Sequence, residues 1–423
     1  MMKPLFIRLT LFLLLALFGC AHSVWQAPAT DPLPKPAPVA LLADADQVNK
    51  EDSRILAQDH AWIELGDQSR FILRTLTKGP QCPVAFTDEG SLGLLPRGEP
   101  GSKFSRLVCE VKLPRTAAQV KVLGQTLNWK KSPRKIAIIG DTGCRLTAPS
   151  SHPGQIQNCQ DPDLWPFAKI AASINAWHPD LIVHVGDYHY RESTCPPGQK
   201  ICEGSVGGDN EESWAQDFFN PAGPLLGSAP WIFVRGNHEL CRRGGEGWFH
   251  FLDSRPLEKQ CRDRTQPLFE RWGRQAFTVI DSADEQNINE SLKTLASDQQ
   301  GEGWLFSHRP FLTSELQGKE KVILPVFWSE PGRISSVIAG HRHLFHFQPG
   351  KDGLPPEMVT GNGGALLDPR AQGNFGFLTL ETHDDMNWKV TDHEVSGTPR
   401  QACSLKTSHG QVSQLRCPKM EAK

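Results

Sequence analysis

Five short polar clusters follow one another along this chain: Gly140-Asp141-Thr142-Gly143, Gly186-Asp187-Tyr188-His189-Tyr190, Gly236-Asn237-His238-Glu239, Phe306-Ser307-His308 and Gly340-His341-Arg342-His343. Between them they offer carboxylate, phenol, amide and imidazole groups. Brought together, those groups make a site for a hard or borderline metal ion. A single Gly-Asp after an apolar run is usually a turn, and one His at such a place is usually filler. Gly-Asn-His-Glu and Gly-His-x-His are far more specific, and all five in series are more specific again.

Each cluster follows an apolar, often β-branched run: Ile136-Ala137-Ile138-Ile139, Leu181-Ile182-Val183-His184-Val185, Trp231-Ile232-Phe233-Val234, Trp304-Leu305 and Val337-Ile338-Ala339. Runs of that kind bounded by glycine read as buried strands, so the polar clusters fall at strand C-termini. Between the first two strands Leu164, Phe167, Ile170, Ala171, Ile174 and Trp177 recur at helical spacing, with Asp163 suited to the N-terminal end. Strand, helix and strand in succession predict helices covering a sheet.

The clusters and their order resemble the metallophosphoesterase (calcineurin-like) superfamily, and within it the purple acid phosphatases most closely. A correlated pair of differences carries the closer likeness. Most of the superfamily reads Asp-x-His at the first cluster, whereas this chain reads Asp141-Thr142-Gly143. The second cluster has Gly-Asp-x-x-Tyr, placing Tyr190 where purple acid phosphatases supply a tyrosinate to ferric iron. An ordinary phenol titrates near about 10 and needs a strong Lewis acid to lose its proton near neutrality. The chain has 12 tryptophans and only two tyrosines, Tyr188 and Tyr190, so a tyrosine at the required position is improbable by chance.

The resemblance implies two ligand sets. Asp141, Asp187, Tyr190 and His343 would hold Fe(III); Asp187, Asn237, His308 and His341 would hold a divalent ion (Zn, Fe or Mn), with Asp187 bridging. It further implies a four-layer αββα sandwich, hydrolysis of a small-molecule phosphate ester, and His238 near the leaving oxygen as proton donor or electrostatic stabiliser. A phosphomonoesterase is the first reading. A phosphodiesterase or nucleotide hydrolase would use the same metals with different pocket walls, and an inactive surface-binding lipoprotein is the rival from another class. This chain departs from the plant-like pattern after the last His-x-His, reading Leu344-Phe345-His346, and Cys241-Arg242-Arg243-Gly244-Gly245 matches no family pattern. Asp209, Glu239, Arg191 and Arg309 are candidates to orient the centre. His184 reads as a core or sheet-face residue, His178 as a helix-end residue before Pro179, and His189 and His346 as pocket candidates.

With 423 residues the chain can bury more than one domain's core. A net charge of −2, without a basic run, gives no nucleic-acid-binding surface. Residues 1–20 read as a lipoprotein signal peptide: Lys3 and Arg8 precede an apolar stretch too short for an ordinary membrane span. Leu17-Phe18-Gly19-Cys20 resembles a bacterial lipobox with Cys20 lipidated. A plain cleaved signal is the alternative. The lipid reading places the protein at the bacterial cell envelope, at the outer membrane on its periplasmic or surface face, with the membrane as a partner through the anchor.

Setting aside Cys20 leaves ten of the 11 cysteines, an even number suited to disulfides in an oxidising compartment. Ten can pair in roughly nine hundred ways. Nearest-neighbour pairing, Cys82–Cys109, Cys144–Cys159, Cys195–Cys202, Cys241–Cys261 and Cys403–Cys417, is one plausible solution. Residues 21–50 form a Pro-rich linker, 51–130 a small β-sandwich-like domain of short strands, 134–395 the catalytic domain, and 396–423 a disulfide-tied tail.

Overall fold

The computed structural model describes residues 59–66, 69–146, 156–297, 301–313, 333–350, 353–371, 374–408 and 411–418. The expected signal peptide, Cys20 and proline linker lie outside the described residues. Among those described, no helix is long and apolar enough to cross a membrane.

Two large sheets lie face to face. The first has eleven described strands, and its middle is a parallel set: Lys135–Ile139, Leu181–His184, Trp231–Phe233 and His60–Gly66. The second has six, with Gln275–Val279, Gly303–Phe306, Ile334–Ala339 and Glu357–Thr360 parallel at its middle. Alternation along the apolar runs explains the layering. Ile136 and Ile138 join Leu181, Val183 and Ile232 in a core that also holds Trp304, Phe306 and Ile338 of the other sheet. Ala137 and Ile139 point the opposite way and pack with Phe167, Ile170 and Ile174 of the helix Phe167–Trp177. On the outer face of the second sheet, Leu305 and Val337 meet Ile288, Leu292 and Leu295 of the helix Glu285–Ser297. Strands apolar on both faces are what a sheet covered on both sides requires. The result is the four-layer αββα sandwich.

The helix Phe167–Trp177 begins later than its periodicity suggests. Pro166 is its N-cap, and Asp163 lies outside it, paired with Lys169 at 2.6 Å. Leu164 is correspondingly half exposed, because it precedes the helix and cannot share its buried stripe. His178 closes the helix in the left-handed conformation, its N–H donating to the Asn175 carbonyl.

An all-β region precedes the catalytic strands. Its four-stranded sheet (Gly90–Gly93, Val84–Thr87, Gln119–Val122, Gln125–Asn128) packs through Ala85, Val120, Val122 and Leu127 on Ile63, Leu73 and Cys109. The latter three belong to strands of the large first sheet. His60–Gly66 runs parallel to Trp231–Phe233, with Arg70–Thr77, Leu107–Lys112 and Leu95–Pro96 beyond it. One sheet therefore runs through both the β region and the catalytic strands. At its other edge Pro399–Ser408 and Gln411–Arg416 form a terminal hairpin. Five bridges are present: Cys82–Cys109, Cys144–Cys159, Cys195–Cys202, Cys241–Cys261 and Cys403–Cys417.

Candidate metal centre

The centre is built where the two sheets' parallel strands end. Asp141 follows Lys135–Ile139; Asp187 and Tyr190 follow Leu181–His184; Asn237 and His238 lie in a 3-10 turn, Asn237–Glu239, after Trp231–Phe233. His308 comes from the end of Gly303–Phe306, and His341 and His343 from the end of Ile334–Ala339. Asp141, Asp187 and His341 have φ of 56°, 62° and 68°. Three non-glycine residues in the left-handed region is unusual, and such strain concentrates at functional sites. Between them the chain must double back tightly. Gly186 has φ +98°, and a Cβ there would stand 2.5 Å from His308 Nδ1.

The side chains form two groups sharing one carboxylate. Tyr190 Oη donates to Asp187 Oδ2 at 2.9 Å and to Asp141 Oδ1 at 3.3 Å, and lies 2.7 Å from His343 Nε2. His343 Nε2 is 3.2 Å from Asp141. On the other side, His308 Nε2 is 3.2 Å from Asp187 Oδ2 and 3.0 Å from Asn237 Oδ1, and its ring centroid is 5.1 Å from that of His341. Asp141, Asp187 and His343 offer ligand atoms all within 4.8 Å of one another, and so do Asp187, His308 and His341. All seven metal-ligand candidates read from the sequence thus come together, with Asp187 common to both groups. The donor set, carboxylate, phenol, amide and imidazole, fits two cations of hard or borderline character.

Burial sets the electrostatics. Asp141 is pushed up by burial, against the pull of His343. Burial also opposes the charged forms of Asp187 and His308, but each holds the other charged: Asp187 stays well below the usual carboxylate range and His308 rises to about 9. The Tyr190 phenol is driven well above its ordinary value by burial, then by the charges of Asp187 and Asp141. Without a strong Lewis acid it keeps its proton, which it gives to Asp187 in a hydrogen bond.

A shell of buried groups fixes these loops. Glu239 Oε2 accepts the N–H groups of Asp187 and Gly236, and Oε1 those of Tyr188 and His189, at 2.9–3.2 Å. Its carboxyl rises to about 8 through burial and the Asp187 charge. Asp217 accepts the N–H of Tyr190 at 2.7 Å, of Arg191 at 3.0 Å and of Cys144 at 3.1 Å, with Arg191 Nε at 2.7 Å. It therefore ties the loop of Asp141 to that of Tyr190. His238 packs on Tyr190 with centroids 3.7 Å apart and the rings tilted by 34°, donates its backbone N–H to Asp187 Oδ1, and meets Glu192 through Nδ1. Arg243 contacts both Glu192, at 2.5 Å, and the His238 ring. Burial lowers His238 to about 4.

Glu192, Arg243 and Asp217 hold groups of the candidate centre in place but were not singled out as site residues in the sequence, and no spacing in the chain marks them. Asp209 takes the N–H groups of Glu246 and Gly247 and the Trp214 indole, so it anchors the helix Gly245–Phe251 rather than the centre. Arg309 contacts His341 Nε2 at 2.8 Å and Glu285 at 3.1 Å. His184 is a core residue, stacked on Tyr188 and bonded to Thr142. His189 is buried against Ser213 and Trp214. His346 is half-buried in the strand Phe345–Gln348 at the edge of the second sheet.

Two faced sheets with helices outside, and a two-group metal centre at the strand ends, define a metal-dependent hydrolase of the αββα class. Residues 134–345 match the calcineurin-like phosphoesterases, and the chain belongs to that family. Among proteins of curated function none matches significantly by sequence. Solved structures give a fold likeness: purple acid phosphatase PPD1 from yellow lupin (Lupinus luteus) seeds is 14% identical, with TM-score 0.53 over 84% of this chain and 73% of that one. A 5'-nucleotidase precursor from Thermus thermophilus is 11% identical, with TM-score 0.32 over 68% of this chain and 55% of that one.

Proposed function

We propose that the protein is a phosphomonoesterase of the purple acid phosphatase kind, acting at the cell envelope with an Fe(III)–M(II) centre. The observation that carries this is the position of Tyr190, whose hydroxyl lies among Asp141, Asp187 and His343 where the usual motif-one histidine is missing. A phenol raised so far by burial suits ferric iron better than a divalent ion alone. Asp141, Asp187, Tyr190 and His343 would hold the ferric ion, and Asp187, Asn237, His308 and His341 the divalent one. When bound, such a pair supplies Lewis-acid charge to the phosphoryl oxygens and to the attacking water.

The chain's own groups do the rest. His238 turns Nδ1 to Glu192, which leaves the Nε2 edge 3.9 Å from Asp187 and facing the centre. Burial keeps the ring neutral above about pH 4, so it is in acid, once Nε2 is protonated, that it can pass a proton to the leaving oxygen. Glu192 and Arg243 fix the ring's orientation. Attachment through a lipidated Cys20 belongs to the same reading and is supported by the lipobox-like sequence and the proline-rich segment after it.

Metal analysis and a visible spectrum of the purified protein, with rates on 4-nitrophenyl phosphate and bis(4-nitrophenyl) phosphate, test the proposal. A coloured iron-containing protein preferring the monoester is expected. A colourless protein with two zinc ions, or one preferring the diester, would overturn the corresponding part.

A further inference from the structure

Arg145 lies four residues beyond Asp141, half-buried, with its guanidinium carbon 4.6 Å from the centroid of the Tyr190 ring. Three other arginines near the centre are each matched by a carboxylate: Arg191 with Asp217 at 2.7 Å, Arg243 with Glu192 at 2.5 Å, and Arg309 with Glu285 at 3.1 Å. No carboxylate among the described residues pairs with Arg145. The chain that follows it, residues 147–155, contains no acidic residue. A guanidinium matched by no carboxylate among the described residues is thus held on the ring whose hydroxyl touches Asp141, Asp187 and His343.

A guanidinium is a planar fork of donors matched to two oxygens of one phosphate, and it stacks readily on an aromatic face. Over the Tyr190 ring, it is held beside the residue whose hydroxyl enters the centre, with its N–H groups committed to no carboxylate among the described residues. A phosphate monoester carries close to two negative charges at neutral pH, its second proton leaving near about pH 6. A diester carries one, and two of its phosphorus oxygens are capped. A fork at this position therefore rewards the monoester.

We propose that Arg145 binds the non-bridging oxygens of a phosphate monoester dianion and makes the site select monoesters over diesters. This rests on the phosphoester reading above and deepens it. The partner is the free dianion, so inorganic phosphate, the common product of every monoester, is the probe.

The experiment is a calorimetric titration of the metal-loaded full chain with inorganic phosphate, beside kcat and KM on 4-nitrophenyl phosphate and bis(4-nitrophenyl) phosphate. Arg145→Gln should weaken phosphate binding roughly 10–100-fold, the usual worth of hydrogen bonds to a charged group. It should lower kcat/KM for the monoester by a like factor, chiefly through KM, and leave the diester within about threefold. Arg145→Lys, which keeps the charge without the fork, should recover part of both. Metal content should match the wild type in each. Unchanged phosphate binding, or equal losses on the two esters, overturns the proposal. Should Arg145→Gln lose metal, Arg145→Lys decides alone: phosphate affinity equal to wild type refutes the fork. If the wild type hydrolyses neither ester, the phosphomonoesterase reading fails, while the phosphate titration still judges Arg145. A wild type that also binds no phosphate overturns both.

Discussion

The Tyr190 hydroxyl donates to the Asp187 carboxylate at 2.9 Å, although the two residues stand only three apart on one loop. The phenol turns back over the carboxylate because Asp217 grips the Tyr190 N–H and Glu239 grips the Asp187 N–H, fixing both ends of the loop. Tyr188, between them, points away into the core. Its hydroxyl donates to the carbonyls of His184 and Val234 at 3.1 and 2.9 Å.

This contrast separates the two tyrosines experimentally. Tyr190→Phe should abolish the visible phenolate–iron band and weaken iron retention, since it removes one anionic donor with little volume change. Tyr188→Phe should keep the colour and lose about 1–2 kcal/mol of stability through its two buried hydrogen bonds. Spectra and denaturant titrations of both variants check this. Colour surviving in Tyr190→Phe would rule out the tyrosinate.

His238→Ala should lower turnover roughly 10²–10⁴-fold, the usual contribution of a positioned acid or base, while metal content stays near that of wild type. Glu192→Gln should cost less, roughly 10–100-fold, because it weakens only the charge-assisted bond that orients the ring. Both losses should shrink as the leaving group improves, since a good leaving group needs little protonation. A series of aryl phosphates gives the slope, and equal losses across it would count against proton donation.

Acid should destabilise the fold through two buried histidines that are not among the metal-ligand candidates. His60 stacks on Phe219 and His250 on Phe104, and burial lowers each to about 4, the charges of Arg106 beside His60 and of Arg97 and Arg74 beside His250 adding to the effect. A group depressed in the folded state contributes stability above its unfolded value, near 6.5, and that contribution is lost as pH falls toward 4. The shift corresponds to roughly 3 kcal/mol per histidine at most. His60→Gln and His250→Gln should each flatten the fall in denaturation midpoint between pH 6.5 and 4. A slope identical to wild type would show that other groups set it.

Cys20→Ser should release the protein from the membrane fraction, or leave it misprocessed, without altering the specific activity of the folded catalytic part. Fractionation and mass analysis of the N-terminus read this out. An unlipidated wild-type N-terminus with unchanged partition would remove the anchor.

The apolar runs Ile136–Ile139, Leu181–Val185 and Val337–Ala339 were legible as buried strands, and the polar clusters after them as a metal centre, because both signals are local. A strand covered on both faces must be apolar throughout, and a ligand must sit where a strand ends. Nearest-neighbour disulfide pairing was one plausible solution in the sequence, and the fold selects it by bringing the Cα atoms of each pair to between 4.2 and 5.7 Å. Other features depend on contacts between distant segments. Asp217 is 73 residues from Cys144 and 27 from Tyr190, and only the packed helical layer sets its carboxylate between them. Glu192 and Arg243 lie 51 residues apart and meet only because the loop of Asp187 folds onto that of His238. The single sheet running through the N-terminal strands and the catalytic ones rests on the parallel pairing of Glu64 with Trp231, which no local pattern encodes. Spacing in the sequence determines which side chains reach a sheet edge. Which charges then face each other in a buried, low-dielectric space is decided by packing, because a carboxylate there takes its partner from whatever the fold brings within 3 Å.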